Sequence, residues 1–112
     1  MHTITKNYLY ISALLILPLN VFASSGWTEY SHIVELTPTS HERFLIKLKE
    51  SRNPSGCKQK NMYYQDYDSS GSEQMFQTFL EAVSSGKTVR VYVTGKCELN
   101  GYSEISSVTI TP

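Results

Sequence analysis

The sequence has little of what catalysis or metal binding demands. It holds two cysteines, three histidines and no glycine-rich phosphate cradle in 112 residues. Two cysteines without a nearby histidine pair cannot complete the four ligands of a structural zinc site, and His32 and His41 lie far from them in sequence. The C-x-x-C spacing of a redox dithiol is absent. Ser31 and His32 are neighbours on an expected strand, so their side chains point to opposite faces and cannot serve each other as nucleophile and base. His41 falls in a turn, and the run DYDSSGSE, with Asp66 and Asp68, lacks the oxygen-rich spacing of a calcium loop. An enzyme of this size needs a nucleophile with a base, paired carboxylates or a metal. The chain therefore reads as non-catalytic, with no cofactor.

An excess of one charge is also missing. Ten Lys and Arg face ten Asp and Glu, so no global field selects for nucleic acid. One local cluster, Lys47, Lys49, Arg52, Lys58 and Lys60, reads as a solvated strand edge and loop. Internal repeats and low-complexity tracts are absent as well.

What is present begins with a leader. Residues 1–23 carry Lys6 ahead of an apolar run from Tyr8 to Leu19 and end in Val21-Phe22-Ala23, which suits signal-peptidase cleavage between Ala23 and Ser24. An uncleaved membrane anchor is the competing reading. It is disfavoured because the run is shorter than the roughly 20 residues of a bilayer span and Pro18 interrupts it. Residues 24–112 then form a single secreted or periplasmic domain, without a membrane span. An even cysteine count in an exported chain points to a Cys57–Cys97 disulfide.

Hydrophobic periodicity divides that domain into five strands and one helix. Trp27 to Leu36 opens as a strand, with Ile33, Val34 and Leu36 at its apolar end. RFLIKLK, residues 43–49, alternates Phe44, Ile46 and Leu48 with Arg43 and Lys47. A tyrosine-rich strand runs from Met62 to Asp66. The period then changes: Met75, Phe76, Phe79, Leu80 and Val83 make one helical stripe over residues 72–85, with a Ser70/Glu73 capping box before it and Gly86 at its end. TVRVYVT is a fourth strand. After an Asn100-Gly101 turn, EISSVTI is the fifth, with a phase slip at Ser106-Ser107 that suggests a bulge.

The order β-β-β-α-β-β is that of the OB-fold, a five-stranded, partly closed Greek-key barrel with its helix at one end. An open α+β sandwich uses the same elements. The stretch GWTEYSHIVEL and the later Tyr63, Tyr64, Tyr67, Tyr92 and Tyr102 supply rings with polar tips, which suit sugars and protein interfaces. About half of these rings are expected to be structural, one of Tyr63 and Tyr64 among them, since strand neighbours face opposite ways.

Three stretches carry a family resemblance. Trp27-Thr28 with Tyr30-Ser31 running into Ile33-Val34, the loop NPSGC, and above all FQTFLEAVSSGKTVRVYV resemble the binding subunits of the subtilase-cytotoxin and typhoid-toxin type. The resemblance implies a secreted OB-fold protein that assembles as a homopentamer, partners a catalytic A subunit and binds sialylated host glycans or glycoproteins. It assigns Ser31, with Tyr30 beside it, to the sugar. The family's nearby carboxylate has Glu29 as its substitute here. The family's tyrosine after the helix falls at Val93, with Tyr92 adjacent. A secreted or periplasmic protein-interaction module without glycan binding is the alternative on the same scaffold.

Overall fold

The computed structural model describes residues 24–50 and 52–112; the expected leader over residues 1–23 and its cleavage site lie outside them. Along the chain come β1 (Gly26–Trp27), β2 (Ile33–Pro38), β3 (Arg43–Leu48), β4 (Met62–Asp66), α1 (Ser72–Ser85), β5 (Val89–Val93) and β6 (Ser103–Ile110). The protein is mainly β with one helix. Its strands form one sheet in the order β1-β5-β6-β4-β3-β2, antiparallel throughout except where β4 meets β6.

Six strands stand where the sequence suggests five, because the expected Trp27–Leu36 strand is broken. Its first part pairs with β5 (Gly26 opposite Val93, Trp27 opposite Tyr92), and its second part pairs with β3. Ser31 makes an isolated bridge to Val89 between the two. One chain segment therefore joins the two outermost positions of the sheet, which curls back on itself.

A second irregularity explains the apolar pattern of β2. Ile33 opposes Leu48 and Glu35 opposes Lys47, which leaves Val34 as an extra residue. The bulge turns Ile33 and Leu36 toward the core and leaves Val34 exposed. The bulge expected near the end of the chain is also present. Tyr92 opposes Ser107 and Val93 opposes Ile105, so Ser106 is the extra residue in β6.

The core fills the curl. Phe44, Ile46 and Leu48 of β3, Val89, Val91 and Val93 of β5, and Phe79 of α1 are fully buried. Phe44 meets Phe76 edge-on at 5.1 Å and Phe79 at 6.0 Å between ring centroids, which docks the helix on the sheet. Burying a Phe79-sized side chain contributes roughly 1.5–3 kcal/mol.

The helix keeps its expected span but is rotated and capped differently. Ser72, Met75, Phe79 and Ala82 face inward, whereas Leu80 and Val83 stand exposed. Gly71, at φ 80°, takes the N-cap position and no side chain among the described residues caps the helix, so the Ser70/Glu73 capping box does not form. Backbone turns do part of its work: the Ser69 carbonyl accepts from the Ser72 N–H at 3.1 Å, and Gly71 accepts from Met75 at 3.0 Å. Gly86 closes the helix in the left-handed conformation, φ 70°, as the sequence suggests.

Cys57 and Cys97 are joined, with 5.3 Å between their α-carbons. The bridge ties the loop before β4 to the segment after β5. Around it, Asn53 and Ser55 both bond the buried Ser103 hydroxyl, at 3.0 and 2.9 Å. Among the described residues no helix is long and apolar enough to cross a membrane.

Candidate functional site

The break between β1 and β2 builds an open groove. Thr28 pairs with Val91 through its N–H (2.9 Å) and Ser31 pairs with Val89 (2.8 Å), so Glu29 and Tyr30 together oppose Arg90 alone. Two residues against one is a bulge, and it pushes both side chains to the surface. Thr28 makes the bulge affordable: its buried hydroxyl accepts the Val91 N–H at 3.1 Å and donates to the Glu29 carbonyl at 3.1 Å.

The groove beside this bulge has a volume of about 680 Å³. Glu29, Tyr30, Ser31 and His32 form one wall; Lys49, Glu50 and Arg52, which follow β3, form the other, and Thr88 lies at the entrance to β5. Acids and bases balance along it. Glu29 reaches Arg52 at 3.4 Å across open solvent, a pairing of little energetic weight that a ligand can displace.

The expected site residues are partly united here. Glu29, Tyr30 and Ser31 share the groove, with Tyr30 45% exposed. Ser31 is 6% exposed and already engaged: its hydroxyl accepts the Glu50 N–H at 3.0 Å and faces the His32 carbonyl at 3.5 Å. It anchors the end of β3 to the groove wall and makes no hydrogen bond with the His32 ring. Tyr92 stands outside the groove, its hydroxyl 3.3 Å from that of Ser25.

Tyr92 is nevertheless connected to Tyr30. Its ring packs edge-on against Trp27 at 5.4 Å, and the Arg90 guanidinium lies over Trp27 at 4.4 Å and over Tyr30 at 5.3 Å. The four side chains form a continuous series on the outer face, Tyr30–Arg90–Trp27–Tyr92. Arg90 fixes the two flanking rings by cation–π attraction, while its buried Nε has no hydrogen-bond partner among the described residues. Arg90 and the positioning role of Thr28 are not evident from the sequence. The shared parity of Arg90 and Tyr92 on TVRVYVT was the available signal, but only the register against Trp27 gives it meaning.

The remaining rings divide between core and surface. Tyr63 and Tyr64 are both buried, the latter because Arg43 stacks on its outward face at 5.5 Å. Tyr67 is exposed, its hydroxyl donating to the Thr39 carbonyl at 2.7 Å. Among the described residues no group of three or more His, Cys, Asp or Glu side chains is placed to hold a metal ion.

No protein-family profile matches this chain, no curated protein matches it, and no solved structure matches it.

Proposed function

We propose that this protein is an exported, non-catalytic binding module on an OB-fold-like barrel, related to toxin binding subunits, and that the groove beside Tyr30 takes a sialylated host glycan. The fold part of this reading draws support from the topology. Five long stretches with a helix between the third and fourth, a parallel β4–β6 pair and a first segment shared between β5 and β3 suit a small Greek-key barrel.

The observation that carries the ligand part is Tyr30. A half-exposed aromatic ring, steadied by Arg90, stands at the mouth of an open groove lined with polar and charged groups. A sugar presents an apolar face for such a ring and hydroxyls for the polar wall, and Lys49 and Arg52 offer cations to a sialic carboxylate. The engaged Ser31 hydroxyl shapes this wall through Glu50.

A sialyl-glycan array tests the reading. Wild type should be retained, and Tyr30→Ala, at an exposed position, should lose retention while staying folded. Absence of wild-type retention, or undiminished retention by Tyr30→Ala, removes the glycan assignment.

One observation favours a second reading, a protein-interaction module. Val34, Leu80 and Val83 are exposed together beside Ile33 and Leu36, an apolar patch between β2 and α1. Light scattering reads the assembly state, and a monomer that also ignores glycans favours the interaction module.

A further inference from the structure

The basic cluster between Lys47 and Lys60, continuous in sequence, is divided by the fold. Lys49 and Arg52 turn to the groove beside Tyr30, whereas Lys47 and Lys60 line a second groove of about 550 Å³ with Gln59, Asn61, Asn100 and Tyr102. Met62, the register partner of Lys47, completes its lining. The volume falls within the roughly 300–1,000 Å³ of small-ligand sites.

Among the described residues no carboxylate lines this second groove. Glu35 stands opposite Lys47 in the β2–β3 register, yet the two make no ion pair. Among the described residues the side chains of Lys47, Gln59, Lys60, Asn100 and Tyr102 have no hydrogen-bond or ion-pair partner within the protein. Two ammonium groups and the amides of Gln59 and Asn100 thus line one groove without internal competition, while the Asn61 amide donates to the Lys49 carbonyl at 3.4 Å.

The walls, by contrast, are fixed. The Gln59 N–H donates to the Gly101 carbonyl at 3.0 Å, and the Lys60 carbonyl accepts from Asn53 (3.1 Å) and from the Tyr63 hydroxyl (3.1 Å). Asn100 (φ 50°) and Gly101 (φ 83°) form a tight turn between Leu99 and Tyr102. A Cβ on Gly101 would lie 2.9 Å from the Lys58 Cβ, so the turn abuts the loop as closely as glycine permits. The Cys57–Cys97 bridge pins the same two segments.

We propose that this second groove binds a sulfated saccharide. The lysines would hold a sulfate ester through charge-assisted hydrogen bonds, and the amides of Gln59 and Asn100 would meet sugar hydroxyls. A single ring, Tyr102, offers one stacking surface. Single-stranded nucleic acid calls for a series of them along a basic track. The inference is independent of the ligand at the Tyr30 groove.

Calorimetric titration of the disulfide-bonded protein with a heparin-derived tetrasaccharide, in sulfated and desulfated forms, is the test. The sulfated form should bind, more weakly as salt rises, and the desulfated form should not. Lys47→Gln with Lys60→Gln should weaken binding roughly tenfold or more. Lys87→Gln with Lys96→Gln removes as much charge outside the groove and should leave affinity unchanged, as should Tyr30→Ala. The proposal is overturned by absence of binding to the sulfated form, by equal binding of the desulfated form or of a single-stranded oligonucleotide, or by equal losses in the two double variants.

Discussion

Replacing both bridge cysteines, Cys57→Ala with Cys97→Ala, should remove a large share of the stability. The bridge closes a sequence separation of 40, and the chain-entropy relation for a loop of that length gives about 4 kcal/mol. Small domains are stable by only about 5–15 kcal/mol, so the variant approaches the unfolding threshold. In urea, with a slope of about 1–2 kcal/mol/M for a chain of this size, the midpoint should fall by roughly 2–4 M. Circular dichroism of wild type, reduced wild type and the variant measures this directly, the last two agreeing if the bond itself is the cause. The structure also defines the result that refutes the reasoning. Half-buried Asn53 and buried Ser55 and Ser103 form a hydrogen-bonded cluster beside the bridge. A loss below about 1 kcal/mol would mean that this cluster confines the loop and that the covalent link adds little.

Two further outcomes follow from the core. Phe79→Ala should cost about 3–5 kcal/mol, because a fully buried ring in contact with Phe44 leaves a cavity; urea unfolding reads it, and a loss near that of an exposed substitution would show the helix to be loosely docked. Burial pushes the Tyr64 phenol above its ordinary value, with Glu104, Glu98 and Asp66 adding repulsion. The unfolded chain then ionises first, so stability should decline as pH rises through about 10 toward the folded value. Tyr64→Phe should flatten that decline in alkaline unfolding scans, and an unchanged slope would remove Tyr64 as its origin.

Periodicity made some elements legible and left others hidden. β3, α1 and β5 stand where period-two and helical patterns placed them, since each buries one face against a single core. The bulge at Ser106 announced itself as a phase slip between Ile105 and Val108. The break at residues 28–32 did not, because Thr28 substitutes a hydroxyl for a backbone partner and nothing local marks that exchange. Leu80 and Val83 belong to the helical stripe by spacing, yet Ala82 takes the inward position and they remain outside. The site shows the same division. Glu29, Tyr30 and Ser31 are contiguous and legible together, whereas Arg90 is drawn between Trp27 and Tyr30 only by strand register. The parting of Lys49 from Lys47 depends likewise on strand faces and on how the chain turns after β3.

The chain contains one tryptophan, and Trp27 sits between the guanidinium of Arg90 and the phenol of Tyr92. Its emission therefore comes from a single indole whose surroundings include the cation that steadies Tyr30. A sugar settling on Tyr30 and drawing Arg90 with it would alter intensity and wavelength without any attached dye, while occupancy of the Lys47–Lys60 groove would leave the spectrum still. The molecule thus carries an intrinsic optical means of telling its two grooves apart.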